Sequence, residues 1–322
     1  MNEHILRIFS EHPDEFLSGE ELSRLLGCSR TAIWKHIRSL REAGYEFESA
    51  PRKGYRLTSR PDKLDVAALM EGLKTKVMGR RLHVYEDVES TQIVAQSLVT
   101  AGAEEGTLVI AEQQTSGKGR MGRKWYSPRG KGIWMSLVLT PKIPLFYTPQ
   151  LTLLTAVALC RTLRQLCAID IGIKWPNDLL IAGKKVSGIL LEISGEDERL
   201  RHIIAGIGIS ANLNVQDFPQ ELRPIASSLL IETSAPVSRE AIILAFLKQF
   251  EELYEIYHEQ GFAPIRLLWE ALSVSLHRPI RVQTAGGVTE GIAESIDDSG
   301  ALTVTTNTGE KIKVFSGEVE LR

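Results

Sequence analysis

The sequence predicts a multidomain α+β protein: an N-terminal winged helix-turn-helix, a central α/β domain on a mixed sheet, and a small C-terminal antiparallel β-barrel. Three observations predict it. A helix–glycine–helix pattern near the start leads into two short alternating segments around a basic turn. Strand-like runs then alternate with helical patterns through the middle of the chain, and the last fifty residues are short β runs separated by glycine turns. A length of 322 residues suits two or three globular units. Composition shifts divide them as 1–62, 63–270 and 271–322.

Composition excludes several classes. The chain is 24% charged and 43% apolar, with 38 Lys plus Arg against 40 Asp plus Glu, so it is not a disordered polyion. Its apolar run from Leu151 to Cys160 is ten residues, about half a bilayer span, so no membrane partner is expected. The N-terminus lacks a basic start and apolar core, and a cytoplasmic location is expected. Three cysteines, Cys28, Cys160 and Cys167, form no Cys-x-x-Cys pair and read as buried thiols. No two of the seven histidines have the spacing of a zinc site.

Charge is concentrated near the start. Residues 1–26 carry two bases and six acids, whereas residues 27–60 carry eight bases and three acids, a net of +5. Ser18 to Leu26 reads as a short helix closed by Gly27-Cys28. Ser29 caps a second that runs to about Ala43 and stops at Gly44. In that second helix Ile33, Ile37 and Leu40 make an apolar stripe, and Arg30, Trp34, Arg38 and Arg41 make a parallel one. The cationic face is a candidate recognition surface for the major groove, with Ser29, Arg30, Thr31, Trp34, Lys35 and Arg38 as DNA-contacting residues. Tyr45–Glu48 and Tyr55–Leu57 alternate like strands around a basic wing that holds Arg52 and Lys53. Charge alone does not separate DNA from an acidic protein partner, and packing accounts for Trp34 equally well.

Beyond Pro61-Asp62, residues 64–73 read as a helix. Strand-like runs at 82–86, 107–112, 133–139, 171–175, 186–193 and 202–209 alternate with helical patterns at 92–101, 149–168 and 238–259. The C-terminal β runs fall at 279–284, 288–296, 301–306 and 311–315.

Chemistry concentrates in a few segments. Residues 113–125, Gln-Gln-Thr-Ser-Gly-Lys-Gly-Arg-Met-Gly-Arg-Lys-Trp, follow a strand and combine three glycines with four bases. Glycine lets backbone N–H groups approach an anion, and guanidinium groups take phosphate or carboxylate oxygens two at a time. The spacing fits neither a Walker A loop nor a dinucleotide-binding turn. A flexible basic loop accounts for it about as well. Lys174-Trp175-Pro176-Asn177-Asp178 presents an amide and a carboxylate after a strand, so Asp178 is a candidate Mg²⁺ ligand beside a nucleotide, or an Asx turn without a ligand. Lys185 precedes Val186-Ser187-Gly188 as a candidate phosphate contact. In Gly206-Ile207-Gly208-Ile209 the small alternate positions suit a ligand lying on the sheet, or tight packing.

Together, Glu89-Ser90-Thr91, the Gly-Lys-Gly-Arg-Met-Gly-Arg-Lys-Trp loop, Lys-Trp-Pro-Asn-Asp-Leu, Lys-Val-Ser-Gly-Ile-Leu and Gly-Ile-Gly-Ile occur in the order that resembles the biotin protein ligases. With the winged helix and C-terminal barrel, the whole chain resembles the bacterial members that also repress the biotin operon. The resemblance implies the substrates biotin and ATP with Mg²⁺, and biotinyl-5′-AMP as both intermediate and corepressor. Its implied partners are the biotin carboxyl carrier protein of acetyl-CoA carboxylase, the operator DNA of biotin genes, and a second copy of the chain when adenylate is bound. It places Ser90, Thr91, Gln92, Gln114, Arg120, Lys185, Gly188 and Gly206 at biotin, and Gly117, Lys118, Arg123, Trp125, Asn177, Asp178 and Ser210 at ATP or the adenylate. Lys185, Arg120 and Arg123 are its catalytic residues. Gln92 and Ser210 stand where the family usually has Asn, and Lys118 and Met121 replace arginines found in some members.

The chemistry is consistent with these residues. A carboxylate must reach the phosphorus of a polyanion, and two unit charges about 4 Å apart repel by about 4 kcal/mol at an effective dielectric of 20. Cations on a loop offset that repulsion, and no protein nucleophile is needed. Two other functions fit the same pattern: a winged-helix sensor that binds a small molecule without turnover, and a lipoate or octanoate transferase on a related fold.

Overall fold

The computed structural model describes residues 1–42, 45–51, 53–59, 63–194, 202–284 and 286–322. Ala43, Gly44, Arg52, Pro61 and Asp62, invoked above for a helix stop, the wing and a boundary, lie outside the described residues. The chain divides into two compact units, Met1–Lys63 and Leu64–Arg322.

In the first unit, α1 (Asn2–Glu11), α2 (Gly19–Leu26) and α3 (Arg30–Glu42) precede a two-stranded hairpin of β1 (Glu46–Ala50) and β2 (Gly54–Ser59). Ile5, Phe9, Leu22, Ile33, Ile37, Leu40 and Phe47 close one core. Helix α1 was not expected from sequence. Ser18 caps α2 by accepting from the Glu21 amide at 3.0 Å, and Ser29 accepts from the Ala32 amide at 3.2 Å. Leu17 and Tyr55 exchange backbone hydrogen bonds of 2.8 and 2.9 Å, which fix the hairpin to the segment before α2. Gly54 is required at that crossing: its φ is +103°, and a Cβ there would lie 2.1 Å from the Leu17 carbonyl oxygen.

The second unit begins with α4 (Val66–Gly72), followed by β3 (Arg81–Val88), α5 (Thr91–Thr100), β4 (Thr107–Gln114), β5 (Ile133–Leu139), α6 (Thr148–Cys167), β6 (Ile171–Lys174), β7 (Asp178–Ile181), β8 (Lys184–Ser194) and β9 (His202–Ile209). These strands form a seven-stranded mixed sheet in the order β3-β4-β5-β9-β8-β7-β6. Among the described residues, the β3–β4 pair is the only parallel pairing between these strands. Alternation along the strands gives the sheet two faces. Leu108, Ile110, Met135, Leu137, Ile203 and Ile207 pack against α6 and against α8 (Arg239–Gln260), with α7 (Leu229–Thr233) and α9 (Ala263–Leu272) completing the helices. On the opposite face Val109, Val138 and Ile204 pack under α5.

Five strands, β10 (Pro279–Thr284), β11 (Gly287–Ile296), β12 (Leu302–Thr306), β13 (Lys311–Val314) and β14 (Glu318–Leu321), form an antiparallel sheet in the order β13-β12-β11-β10-β14. The ladder runs in one file from β13 to β14, and no pairing among the described residues closes it into the expected barrel. Its residues Ile280, Val282, Leu302 and Val304 continue the same core as the seven-stranded sheet. The three cysteines are free; Cys160 is buried, and Cys28 and Cys167 are half-buried. No helix among the described residues is long and apolar enough to cross a membrane.

Candidate functional site

The sheet face shared with α5 also carries the candidate site. Strand pairing aligns Ser136, Gly206 and Leu190 in one row, and Trp134, Gly208, Gly188 and Asp178 in the next. Glycine recurs at alternate positions because something must lie close to this face. In the second row that something is the Trp125 ring: a Cβ on Gly208 would sit 2.4 Å from Trp125 Nε1, and one on Gly188 2.9 Å from its ring edge. The indole N–H is buried without a hydrogen-bond partner.

Ser90 lies two residues beyond β3 and caps α5, accepting from the Gln92 amide at 3.3 Å. Gln114, at the end of β4, accepts from the Thr91 amide at 2.9 Å and hydroxyl at 3.1 Å, and donates to Ser127 at 2.8 Å. Ser136 donates to the Thr91 hydroxyl at 2.8 Å. These bonds immobilise one wall of a cavity of about 440 Å³, lined by all eight residues expected at biotin: Ser90, Thr91, Gln92, Gln114, Arg120, Lys185, Gly188 and Gly206. Met135, Ile189, Leu190 and Ile207 add an apolar lining that the motifs did not reveal.

A second, larger cavity of about 1530 Å³ adjoins it, lined by Arg123, Trp125, Asn177, Asp178 and Ser210 among others. Gly119, Arg120, Trp125, Asn177 and Lys185 line both cavities and so mark their junction. Gly117 lines neither: its Cβ position is occupied by the Trp125 carbonyl oxygen at 2.5 Å, which makes it a packing glycine. Lys118, expected at phosphates, lines the smaller cavity and lies 3.8 Å from Glu192.

The junction is strongly charged. Lys185 Nζ is 2.7 Å from Asp178 Oδ1 and 5.1 Å from the Trp125 ring centroid. Arg120 donates to Asn177 Oδ1 and to the Ser316 hydroxyl, each at 3.0 Å. Asn177 is fixed in turn by donating to the Ile189 carbonyl at 2.8 Å. Burial lowers the Arg120 pKa, and the charge of Arg123 adds to that, while Asp178 and Glu318 oppose it. Arg123 grips Glu318 through Nη1 and Nη2; that bond raises the Arg123 pKa and lowers that of Glu318. Met121, between these arginines, holds a left-handed φ of +57°. Ser316 and Glu318 come from the C-terminal sheet, and nothing in their local sequence indicated a role here.

Among the described residues no cluster of three His, Cys, Asp or Glu side chains could hold a metal unaided. Asp178 fits the other mode, in which Mg²⁺ is held by one carboxylate together with substrate phosphates.

The first unit presents a separate surface. Ser29, just before α3, and Arg30, Thr31, Trp34, Lys35 and Arg38 on it are all exposed, and Lys53 is exposed in the wing. Trp34 is 51% exposed, so it is not a core residue, and Arg38 lies 5.9 Å from its ring centroid.

The fold and site define a class: a winged-helix unit joined to an α/β unit whose adjoining cavities can bring a carboxylate to a polyphosphate. Comparison with known proteins makes the class specific. Residues 84–210 match the biotin/lipoate A/B protein ligase family, residues 2–56 an HTH domain, and residues 276–322 the biotin protein ligase C terminal domain. The bifunctional ligase/repressor BirA of Bacillus subtilis (strain 168) is 47% identical over 321 residues, spanning 100% of this chain and 98% of the relative. The protein of that name from Escherichia coli (strain K12) is 31% identical over 310 residues, spanning 96% and 94%. The solved biotin protein ligase from Aquifex aeolicus in complex with biotin and ATP superposes with a TM-score of 0.66 at 30% identity, covering 76% of this chain and 99% of that one. The chain belongs to the biotin protein ligase family, among its members with an N-terminal DNA-binding domain.

Proposed function

We propose that the protein makes biotinyl-5′-AMP from biotin and ATP, passes biotin to a carrier-protein lysine, and represses biotin genes when adenylate accumulates. The observation that carries this reading is the junction at Lys185 and Arg120, where a small, partly apolar cavity meets a larger one rimmed by cations.

Biotin occupies the smaller cavity with its rings between Thr91, Gln114 and the Gly206 row, which leaves its carboxylate at Lys185 and Arg120. ATP occupies the larger one with its α-phosphate at the same two cations. A carboxylate oxygen attacks the α-phosphorus, the bond to the bridging β-phosphate oxygen breaks, and pyrophosphate leaves. Arg120 and Lys185 neutralise the charge that gathers there, and the fixed cavity walls align the reactants. Arg123, held on Glu318 in the free protein, is positioned to turn to the phosphates. Mg²⁺ held by Asp178 and the phosphates would add further charge neutralisation. In the second step the neutral lysine amine of the carrier attacks the acyl carbon, AMP leaves, and the amine gives up a proton.

The natural carrier is the biotin carboxyl carrier protein of acetyl-CoA carboxylase, and the protein works in the cytoplasm. DNA binding uses the exposed face of α3 and the wing. One winged helix reads one half-site, so operator binding calls for a dimer, and adenylate favours it by ordering the loop around residues 117–123. Mixing the protein with biotin, MgATP and apo-carrier tests the enzyme: a carrier mass increase from one biotinyl group is expected, and an unmodified carrier overturns the reading.

A further inference from the structure

Lys174 is the last residue of β6, and its neighbours fix where it lies. Ile173 and Trp175 on either side are buried in the core at 0% and 1% exposure, so strand alternation turns Lys174 to the opposite face. The Ile173 carbonyl accepts from the Val274 amide at 2.9 Å and the Trp175 amide donates to the Ser275 hydroxyl at 3.0 Å, which pins the chain on both sides of Lys174. Lys174 is half-buried and lines the larger cavity but not the smaller. Here, at Lys174, Gly183, Glu318 and Val319, the larger cavity meets a further groove of about 1080 Å³. In the sheet register Lys174 is the partner of Asp178, which holds Lys185 at the junction; paired residues lie about 5 Å apart.

Charge makes this position distinctive. The larger cavity is lined by five bases, Arg120, Arg123, Lys124, Lys174 and Lys185, against two acids, Asp178 and Glu318. Lys185 is held by Asp178 and Arg123 by Glu318, while Arg120 donates to Asn177 and Ser316. Lys124 is exposed, so water solvates it. The Lys174 ammonium is half-buried and has no ion-pair or hydrogen-bond partner among the described residues. Its charge acts on Glu318, whose pKa is lowered first by the Arg123 hydrogen bond and further by Lys174 and Lys185. A half-buried ammonium in a cavity with surplus positive charge is a site for an anion.

We infer that Lys174 binds the β- and γ-phosphates of ATP and holds the diphosphate as it leaves. The inference rests on the proposed ligase function and extends it to a residue beyond the junction. The attacking carboxylate comes from the smaller cavity and the α-phosphate lies at Lys185 and Arg120. In-line displacement puts the leaving oxygen on the far side of phosphorus from the attacking one, and Lys174 lies on that far side. When the bond from the α-phosphorus to the bridging oxygen breaks, that oxygen keeps the electron pair, and Lys174 neutralises charge on the diphosphate that carries it.

The test separates ATP from the adenylate, which lacks those two phosphates, on the full-length protein with Mg²⁺. Lys174→Met keeps the apolar stem and removes the charge. It is expected to raise the Kd of ATP, and the KM of pyrophosphate in the reverse reaction, by about tenfold or more, while the Kd of biotinyl-5′-AMP stays within about twofold of wild type. In that reverse reaction a pyrophosphate oxygen attacks the α-phosphorus, the biotin carboxylate leaves and ATP forms. Lys174→Arg, which keeps the charge, should restore most of the affinity. If the variants do not fold, acetylation footprinting of wild-type lysines by mass spectrometry decides the matter: ATP and pyrophosphate should protect Lys174, and AMP should not. An ATP Kd within about twofold of wild type in Lys174→Met, equal losses for ATP and biotinyl-5′-AMP, or no protection of Lys174 by pyrophosphate overturns the inference. Wild-type protein that forms no adenylate overturns the ligase reading as well, and any of those results in a protein that forms adenylate overturns this inference alone.

Discussion

Lys185 Nζ lies 2.7 Å from Asp178 Oδ1, directly at the junction of the two cavities. A cation held on a carboxylate in the free protein is aligned for a negatively charged reacting group without being buried unpaired. The junction can therefore be charged and stable at once.

Substitution at this junction should affect chemistry more than folding. Lys185→Ala and Arg120→Ala should each lower adenylate formation by about 10²-fold or more, the usual consequence of losing a contact to developing charge. Stopped-flow pyrophosphate release with a melting curve for each variant measures both properties. Near wild-type release from either variant means that its side chain does not act at the α-phosphate.

Gly208→Ala should displace Trp125, because a Cβ at that position would come 2.4 Å from the indole nitrogen. The expected outcome is a raised KM for ATP together with altered tryptophan fluorescence, and less change in the KM for biotin. An unchanged KM for ATP would mean that Trp125 does not contribute to the nucleotide subsite.

The structure also contains a buried ion pair away from the chemistry. Arg239 Nη1 donates to Glu112 Oε2 at 2.7 Å with both side chains inaccessible, and Glu112 Oε1 accepts from the Leu64 amide at 2.7 Å. Glu112→Gln removes a carboxylate charge facing the buried guanidinium and should cost about 3–5 kcal/mol of stability. Chemical denaturation measures this; a loss below about 1 kcal/mol would show that water reaches the pair.

Much of this architecture was legible in the sequence, for identifiable reasons. The alternation of Gly206 and Gly208 marked a sheet face that is closely approached, here by Gln92 and Trp125, because the strand period is 2, and the stripe at Ile33, Ile37 and Leu40 identified the packing face of α3. Other elements gave weaker signals. Helix α1 has no side-chain cap, and the proline in the first turn of α9 reads as a breaker although that position tolerates it. The strand-like run at 171–175 corresponds to β6 alone, and β7, four residues long, gave no separate signal. Ser316 and Glu318 reach the site through tertiary packing from the C-terminal sheet, which no local pattern encodes.

Regulation gives a further expectation. Biotinyl-5′-AMP should strengthen dimerisation, and by linkage dimerisation should strengthen adenylate binding by the same factor. Operator affinity should rise with ligand and fall steeply with salt, because the exposed bases of α3 and the wing displace counterions from DNA. Removing residues 1–63 should abolish operator binding and leave the second unit folded. Sedimentation and operator titration at several salt concentrations measure these effects; no change in either on saturation with adenylate would separate the two activities.

The most direct measurement is mass spectrometry of the protein after incubation with biotin and MgATP in the absence of carrier, with pyrophosphate measured in the same mixture. If the junction of Lys185 and Arg120 joins a carboxylate to AMP, each chain should retain about one biotinyl-5′-AMP and release about one pyrophosphate, as expected for an intermediate held without its acceptor. ATP and biotin recovered unchanged, or pyrophosphate released with no adenylate retained or formed, would contradict it.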